Sequence, residues 1–346
     1  MTRTRSLIFI ALIALLLGAA VSAQEATPEV TPELTAEATM EITPDVAPVE
    51  PLPPGTIREF PGFGSYSIEA TQRGMDRAYN VYIPESYLST TAPTALVIVL
   101  HGANGTGVLA EQQTGFSALA DEFGFIAAYP DGINGYWNDG RPAAIDSRID
   151  PAVSDSAYLL GVITFLQSTL SIDPARVYVT GYSMGGMMAL RAGCELGERV
   201  AAVASVASTM PEYVTPYCDV AAPLPVLFMV GTDDRIVPWT GSPRSGIGYM
   251  SAFNSLDYWA RHNGCTDDAD VLALPDSDPD DRIIGIVSRH NACAGGASAT
   301  LFGFVFGGHT WPGHRNPMGV DPGLVAYDVD GTQVIWDFFA AHPRGE

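Results

Sequence analysis

Residues 176–188 read Arg-Val-Tyr-Val-Thr-Gly-Tyr-Ser-Met-Gly-Gly-Met-Met. The β-branched run Val177–Thr180 predicts a strand, and the apolar spacing of Met187–Leu196 predicts a helix. Between them stands Gly181-Tyr182-Ser183-Met184-Gly185, a G-x-S-x-G pattern. A serine on so sharp a strand-to-helix turn needs glycine neighbours, because side chains there would collide with the strand and the helix. The turn would lift the Ser183 hydroxyl above a sheet. It would also aim the first N–H groups of the helix at negative charge developing beside that hydroxyl. Ser183 is therefore the candidate nucleophile; the plainer reading is a glycine-rich turn.

Outward from this segment, apolar runs recur at Tyr79–Ile83, Ala95–Leu100, Phe125–Tyr129, Val200–Val206, Val226–Val230 and Leu301–Phe306. Helical periodicity fits Ala157–Leu170, Met250–His262 and Val334–Ala341. Strands alternating with helices predict an α/β fold with a mostly parallel central sheet and helices on both faces.

A serine hydroxyl is a weak nucleophile without a base. Of the six histidines, His309 follows an apolar strand, in Gly307-Gly-His-Thr-Trp-Pro-Gly313. Chemistry in such sheets sits beyond the carboxyl ends of strands. His314 is its nearest rival, and His101 reads as a loop-packing residue. The orienting acid should follow another strand, and Gly231-Thr-Asp-Asp-Arg-Ile-Val-Pro238 does so. Asp234 is favoured, with Asp233 as fallback. An oxyanion hole needs two N–H donors: Met184 supplies one, and Ala103, in His101-Gly-Ala-Asn-Gly105, the other. Asn104-Gly105-Thr106 matches a glycosylation sequon, which we read as chance in a packed loop.

Composition narrows the chemistry. The 17 basic residues are all arginine, which removes Schiff-base chemistry, Ser–Lys dyads and the phosphate-binding P-loop. A formal net charge of -22 disfavours nucleic acids, phosphorylated substrates and anionic membranes. Arg3 and Arg5 precede an apolar run, Leu7–Val21, and then Val21-Ser22-Ala23. This is the pattern of a signal peptide cleaved after Ala23, since the run has about 15 residues and a membrane span needs roughly 20. The expected product is extracellular and has no stable membrane insertion. Residues 24–55 repeat Thr-Pro-Glu-apolar units, a disordered linker; residues 56–346 read as one catalytic domain. The acidic run Asp276–Asp281 lacks the glycine and the final acid of a calcium loop, and neither metal nor cofactor is expected.

Cys194, Cys218, Cys265 and Cys293 are even in number, which suits an oxidising compartment. Four cysteines allow three pairings, and sequence neighbours suggest Cys194–Cys218 and Cys265–Cys293.

Several separated motifs together resemble the family of secreted polyhydroxybutyrate depolymerases, feruloyl esterases and acetylxylan esterases, carbohydrate esterase family 1. They are Tyr129-Pro-Asp-Gly132 with Trp137-Asn138, the run Ile172–Ala189, Gly231–Pro238, Trp259 with Asn263-Gly-Cys265, and Gly307–Gly313. The resemblance covers roughly residues 65–342. It implies an α/β-hydrolase fold, Ser183 as nucleophile, Asp234 as acid, His309 as base, and the same two disulfides. Val230, Trp239 and Gly102–Gly105 depart from the usual pattern near the acyl pocket. Trp137, Trp239 and Trp311 stand in loops and could wall a substrate site; core packing explains each as well. The expected partner is an ester, feruloyl or acetyl on plant polysaccharide or a polyester, handled by a monomer. The rival readings are a serine peptidase and a catalytically inactive binding protein of the same fold.

Overall fold

The computed structural model describes residues 60 and 62–345, apart from 144–145, 219, 221, 243–247 and 315–322. The expected signal peptide, the linker and the domain boundary at 56 lie outside the described residues.

Ten strands form one sheet: β1 (Gly64–Gln72), β2 (Met75–Ile83), β3 (Thr94–Leu100), β4 (Ile126–Pro130), β5 (Ile172–Tyr182), β6 (Ala202–Val206), β7 (Val226–Gly231), β8 (Asp270–Ala273), β9 (Ile284–His290) and β10 (Ala299–Val305). Their order is β1-β2-β4-β3-β5-β6-β7-β10-β9-β8. The run from β4 to β10 is parallel, and an antiparallel pair closes each edge.

The alternation of side chains along β3 shows why the centre is buried. Leu96, Ile98 and Leu100 enter one apolar layer and Ala95, Val97 and Val99 the other. A strand with two apolar faces must be covered on both. On the first face lie the helices α3 (Asp155–Thr169), α4 (Met184–Leu196) and α5 (Ala252–His262). On the second lie α1 (Gly107–Thr114), α2 (Phe116–Phe123) and α6 (Gly331–Ala341). Left-handed Gly115 and Gly124, with φ of 70° and 75°, end α1 and α2. The side chains of Ser154, Ser251 and Asp330 cap the N-termini of α3, α5 and α6.

The chain leaves β3 for β4 on one side and later returns to β5 on the other. Such a switch point opens a crevice at the carboxyl ends of the strands. Backbone strain gathers along the same edge. Asn104, Asn134, Ser183, Ala207 and Phe306 all have positive φ, and they follow β3, β4, β5, β6 and β10.

Several expectations need correction. The apolar runs and helical periodicity in the sequence do not reveal β1, β8, β9, α1 or α2. They place the start of β5 five residues late, at Val177 instead of Ile172, and that of α4 three residues late, at Met187 instead of Met184. Trp137 and Trp311 are not substrate walls, because both lie in the packed interior at 0% and 1% exposure. The Trp137 indole donates to the His101 carbonyl at 2.9 Å. The Trp311 indole donates to the Thr332 hydroxyl at 3.0 Å and meets Phe116 edge to face. Trp239 is half-buried against Phe253 and remains a candidate.

Candidate active site

Ser183 ends β5 in a conformation with φ 56° and ψ -119°, outside the regions L-residues favour. Close backbone approach holds it there. A methyl group on Gly185 would fall within 3.0 Å of the Leu100 and His101 carbonyls, and one on Gly181 would strike the Gly185 carbonyl. The Ser183 N–H donates to the Val206 carbonyl at 2.8 Å, and its own carbonyl receives the Met187 N–H at 3.1 Å. The elbow is thus tied to β6 and to the first turn of α4. Ser183 itself is partly exposed.

His309 stands in the loop after β10, and Asp234 in the loop after β7. Parallel pairing of these neighbouring strands brings the loops together. The Asp233 N–H donates to the Gly307 carbonyl, and the Phe306 N–H to the Thr232 hydroxyl, each at 2.9 Å. Nε2 of His309 lies 2.8 Å from Oγ of Ser183, and Nδ1 lies 2.7 Å from Oδ2 of Asp234. The other carboxylate oxygen of Asp234 accepts the N–H groups of Ile236 and Val237, both at 2.8 Å. The carboxylate of Asp234 is wholly buried against His309, whereas Asp233 is exposed. His314, the rival base, instead faces Asp330 at 3.5 Å.

Two backbone amides in the adjoining segments are also relevant. The Gly102 backbone packs against the elbow, and a methyl there would sit 3.5 Å from Cβ of Ser183. Neither Met184 nor Ala103 has its N–H taken by an acceptor among the described residues. One opens α4 directly after Ser183, and the other follows β3, one residue beyond Gly102. Tyr182, which the sequence reading did not single out, also touches this cluster. Its buried hydroxyl donates to the His309 carbonyl at 2.6 Å, and its ring packs on the imidazole. Burial pushes that phenol well above its ordinary value, so it stays a neutral donor. Its place inside the G-x-S-x-G motif is the only signal of it in the sequence.

Cys194 is joined to Cys218, and Cys265 to Cys293. The first bond ties the end of α4 to the loop after β6. Cys265, Asp267 and Cys293 lie close enough to group around a metal, but both sulfurs are spent in the disulfide. Among the described residues no helix is long and apolar enough to cross a membrane.

Comparison with known proteins finds relatives described as ester hydrolases. Residues 82–244 match the dienelactone hydrolase family. The chain is 31% identical over 268 residues to the protein described as "Putative esterase NocK" from Nocardia uniformis subsp. tsuyamanensis, covering 72% of this chain and 74% of that protein. It is 34% identical over 165 residues to feruloyl esterase B from Piromyces equi, covering 44% of this chain and 29% of that protein. A solved acetyl xylan esterase from Aspergillus awamori superposes with a TM-score of 0.57 at 15% identity, over 80% of this chain and 99% of that one. At that identity the match speaks to the fold alone.

Proposed function

As the chain belongs to the α/β-hydrolase superfamily and shares a family with these esterases, we propose that it is a secreted serine esterase acting through an acyl-enzyme on Ser183. The observation that carries the reading is the unbroken relay from Ser183 through His309 to Asp234, with two unclaimed amides beside the serine. His309 takes the hydroxyl proton as Ser183 attacks the ester carbonyl. The N–H groups of Met184 and Ala103 then hold the oxyanion, in a wall of protein that needs no reorganisation. Asp234 fixes the imidazole tautomer and stabilises the imidazolium. The imidazolium protonates the departing alcohol, and water, activated by the same histidine, releases the acid. Every step uses groups of the chain itself.

For the substrate, we favour feruloyl or acetyl esters of plant polysaccharide over a polyhydroxybutyrate-type polyester. Names among the relatives support this, although the aligned part spans less than a third of the feruloyl esterase. The two disulfides fit an exported protein. Rates on methyl ferulate, acetylated xylan and a short-chain polyhydroxybutyrate suspension, with Ser183→Ala as control, test the proposal. Faster turnover of either plant ester supports it. Preference for the polyester overturns the substrate assignment, and undiminished activity of Ser183→Ala overturns the serine mechanism.

A further inference from the structure

We propose that His101, which lies outside the proton relay, is the positioning residue for the oxyanion donor at Ala103, acting as a neutral imidazole protonated on Nδ1. The inference rests on the serine-esterase reading of the same site.

The tautomer follows from hydrogen-bond direction. The Gly132 N–H points at Nε2 of His101 at 2.9 Å. An amide N–H can only donate, so Nε2 must present its lone pair. The single remaining proton sits on Nδ1, which meets the Gly102 carbonyl at 2.8 Å. A proton on Nε2 would set two N–H groups against each other. The doubly protonated ring would do the same.

This ring is the centre of a clamp on the loop that carries Ala103. The His101 carbonyl accepts the Trp137 indole N–H, and the two rings pack with centroids 4.8 Å apart. One residue beyond Ala103, the Asn104 N–H donates to the Gly135 carbonyl at 2.9 Å, and its side chain accepts the Tyr136 hydroxyl. The segment 132–138 thus grips the loop on both sides of the free amide. That segment is anchored in turn. The Asn138 N–H donates to Asp155 at 2.6 Å, and Asp155 pairs with Arg77 at 2.6 Å, both side chains wholly buried. Asn104 is held at φ 61°, a left-handed conformation that asparagine tolerates, and within the loop the Gly105 N–H closes the turn on the Gly102 carbonyl at 3.0 Å.

The same contacts make the clamp sensitive to protons. Burial, the largest influence, and Arg77 oppose a charged His101, whereas the Gly102 carbonyl, Asp131 and Asp155 favour it. Burial wins and keeps the ring below its ordinary value. Loss of the clamp would let Ala103 drift from the oxyanion while leaving Ser183, His309 and Asp234 in place. The signature is a fall in kcat without a matching rise in KM.

The test compares His101→Ala, His101→Gln and Ser183→Ala on p-nitrophenyl acetate. It adds nitrogen NMR of the imidazoles in the wild-type protein. The alanine variant should lose about 10²–10³ in kcat, the effect of one oxyanion donor, with KM little changed. A glutamine oxygen reaches the Nε2 position and should restore about tenfold of that loss, a rescue that general destabilisation would not give. If the alanine variant fails to fold, the glutamine variant and the NMR decide alone. NMR should show Nδ1 of His101 protonated and Nε2 bare at neutral pH. A bare Nδ1, or a folded alanine variant with wild-type kcat, overturns the proposal. Full activity in Ser183→Ala would instead overturn the serine-esterase reading beneath it.

Discussion

Replacing Asp234 with asparagine changes almost no atoms, yet the structure predicts a large loss. One oxygen of the buried carboxylate accepts two backbone N–H groups and the other faces Nδ1 of His309. In asparagine the amide oxygen must take the first position, because an NH₂ there would oppose two donors. The NH₂ group then faces Nδ1, which has to offer a lone pair. The imidazole proton moves to Nε2, 2.8 Å from the Ser183 oxygen. His309 can no longer accept the hydroxyl proton. In serine protease triads the corresponding wrong tautomer lowers kcat by about 10⁴. At 1.36 kcal/mol per tenfold, that is about 5.4 kcal/mol of lost transition-state stabilisation. The assay is p-nitrophenyl acetate hydrolysis, with circular dichroism to establish that the fold survives. A folded Asp234→Asn protein within about tenfold of wild-type kcat would refute the tautomer argument.

Three further outcomes follow from particular residues. Phe306 is exposed with φ 68°. Phe306→Gly should relieve about 1–2 kcal/mol of left-handed strain against about 0.5–1 kcal/mol of glycine entropy, so urea unfolding should show a net gain; a loss would contradict it. Serine replacement of Cys194 and Cys218 opens a loop with a sequence separation of 24 and should cost about 3 kcal/mol, read from the same curves. For pH, burial lowers the His101 value in the folded state. The unfolded chain therefore takes up the proton first, and stability is full above about 6.5 and declines as pH falls below it. His101→Gln should flatten that part of the Tm profile; an unchanged slope would contradict the assignment.

The centre of the fold was legible because a strand with two apolar faces and a strained turn between glycines each permit few arrangements. The edges were not. β8 has four exposed residues, and β1 alternates exposed residues with partly exposed or buried ones, so neither produces a strong apolar run. Ser183, Asp234 and His309 stood out as residues following strands, and the structure brings them within hydrogen-bonding distance. The sequence favoured Asp234 but kept Asp233 as fallback, because only the fold shows which of two adjacent carboxylates turns inward towards His309. The tryptophans mislead for a related reason. Position in a loop says nothing about depth, and the loops of Trp137 and Trp311 fold their indoles into the interior. The His101 clamp joins residues more than thirty positions apart, and no local pattern announces it.

The central claim is that Ser183 becomes acylated during turnover. The most direct measurement is peptide mass spectrometry on protein acid-quenched within the first turnovers of p-nitrophenyl acetate, compared with Ser183→Ala. The account predicts one acetyl group, on the peptide containing Ser183, absent from the variant. Acetylation elsewhere, or hydrolysis at the wild-type rate by Ser183→Ala, would contradict it.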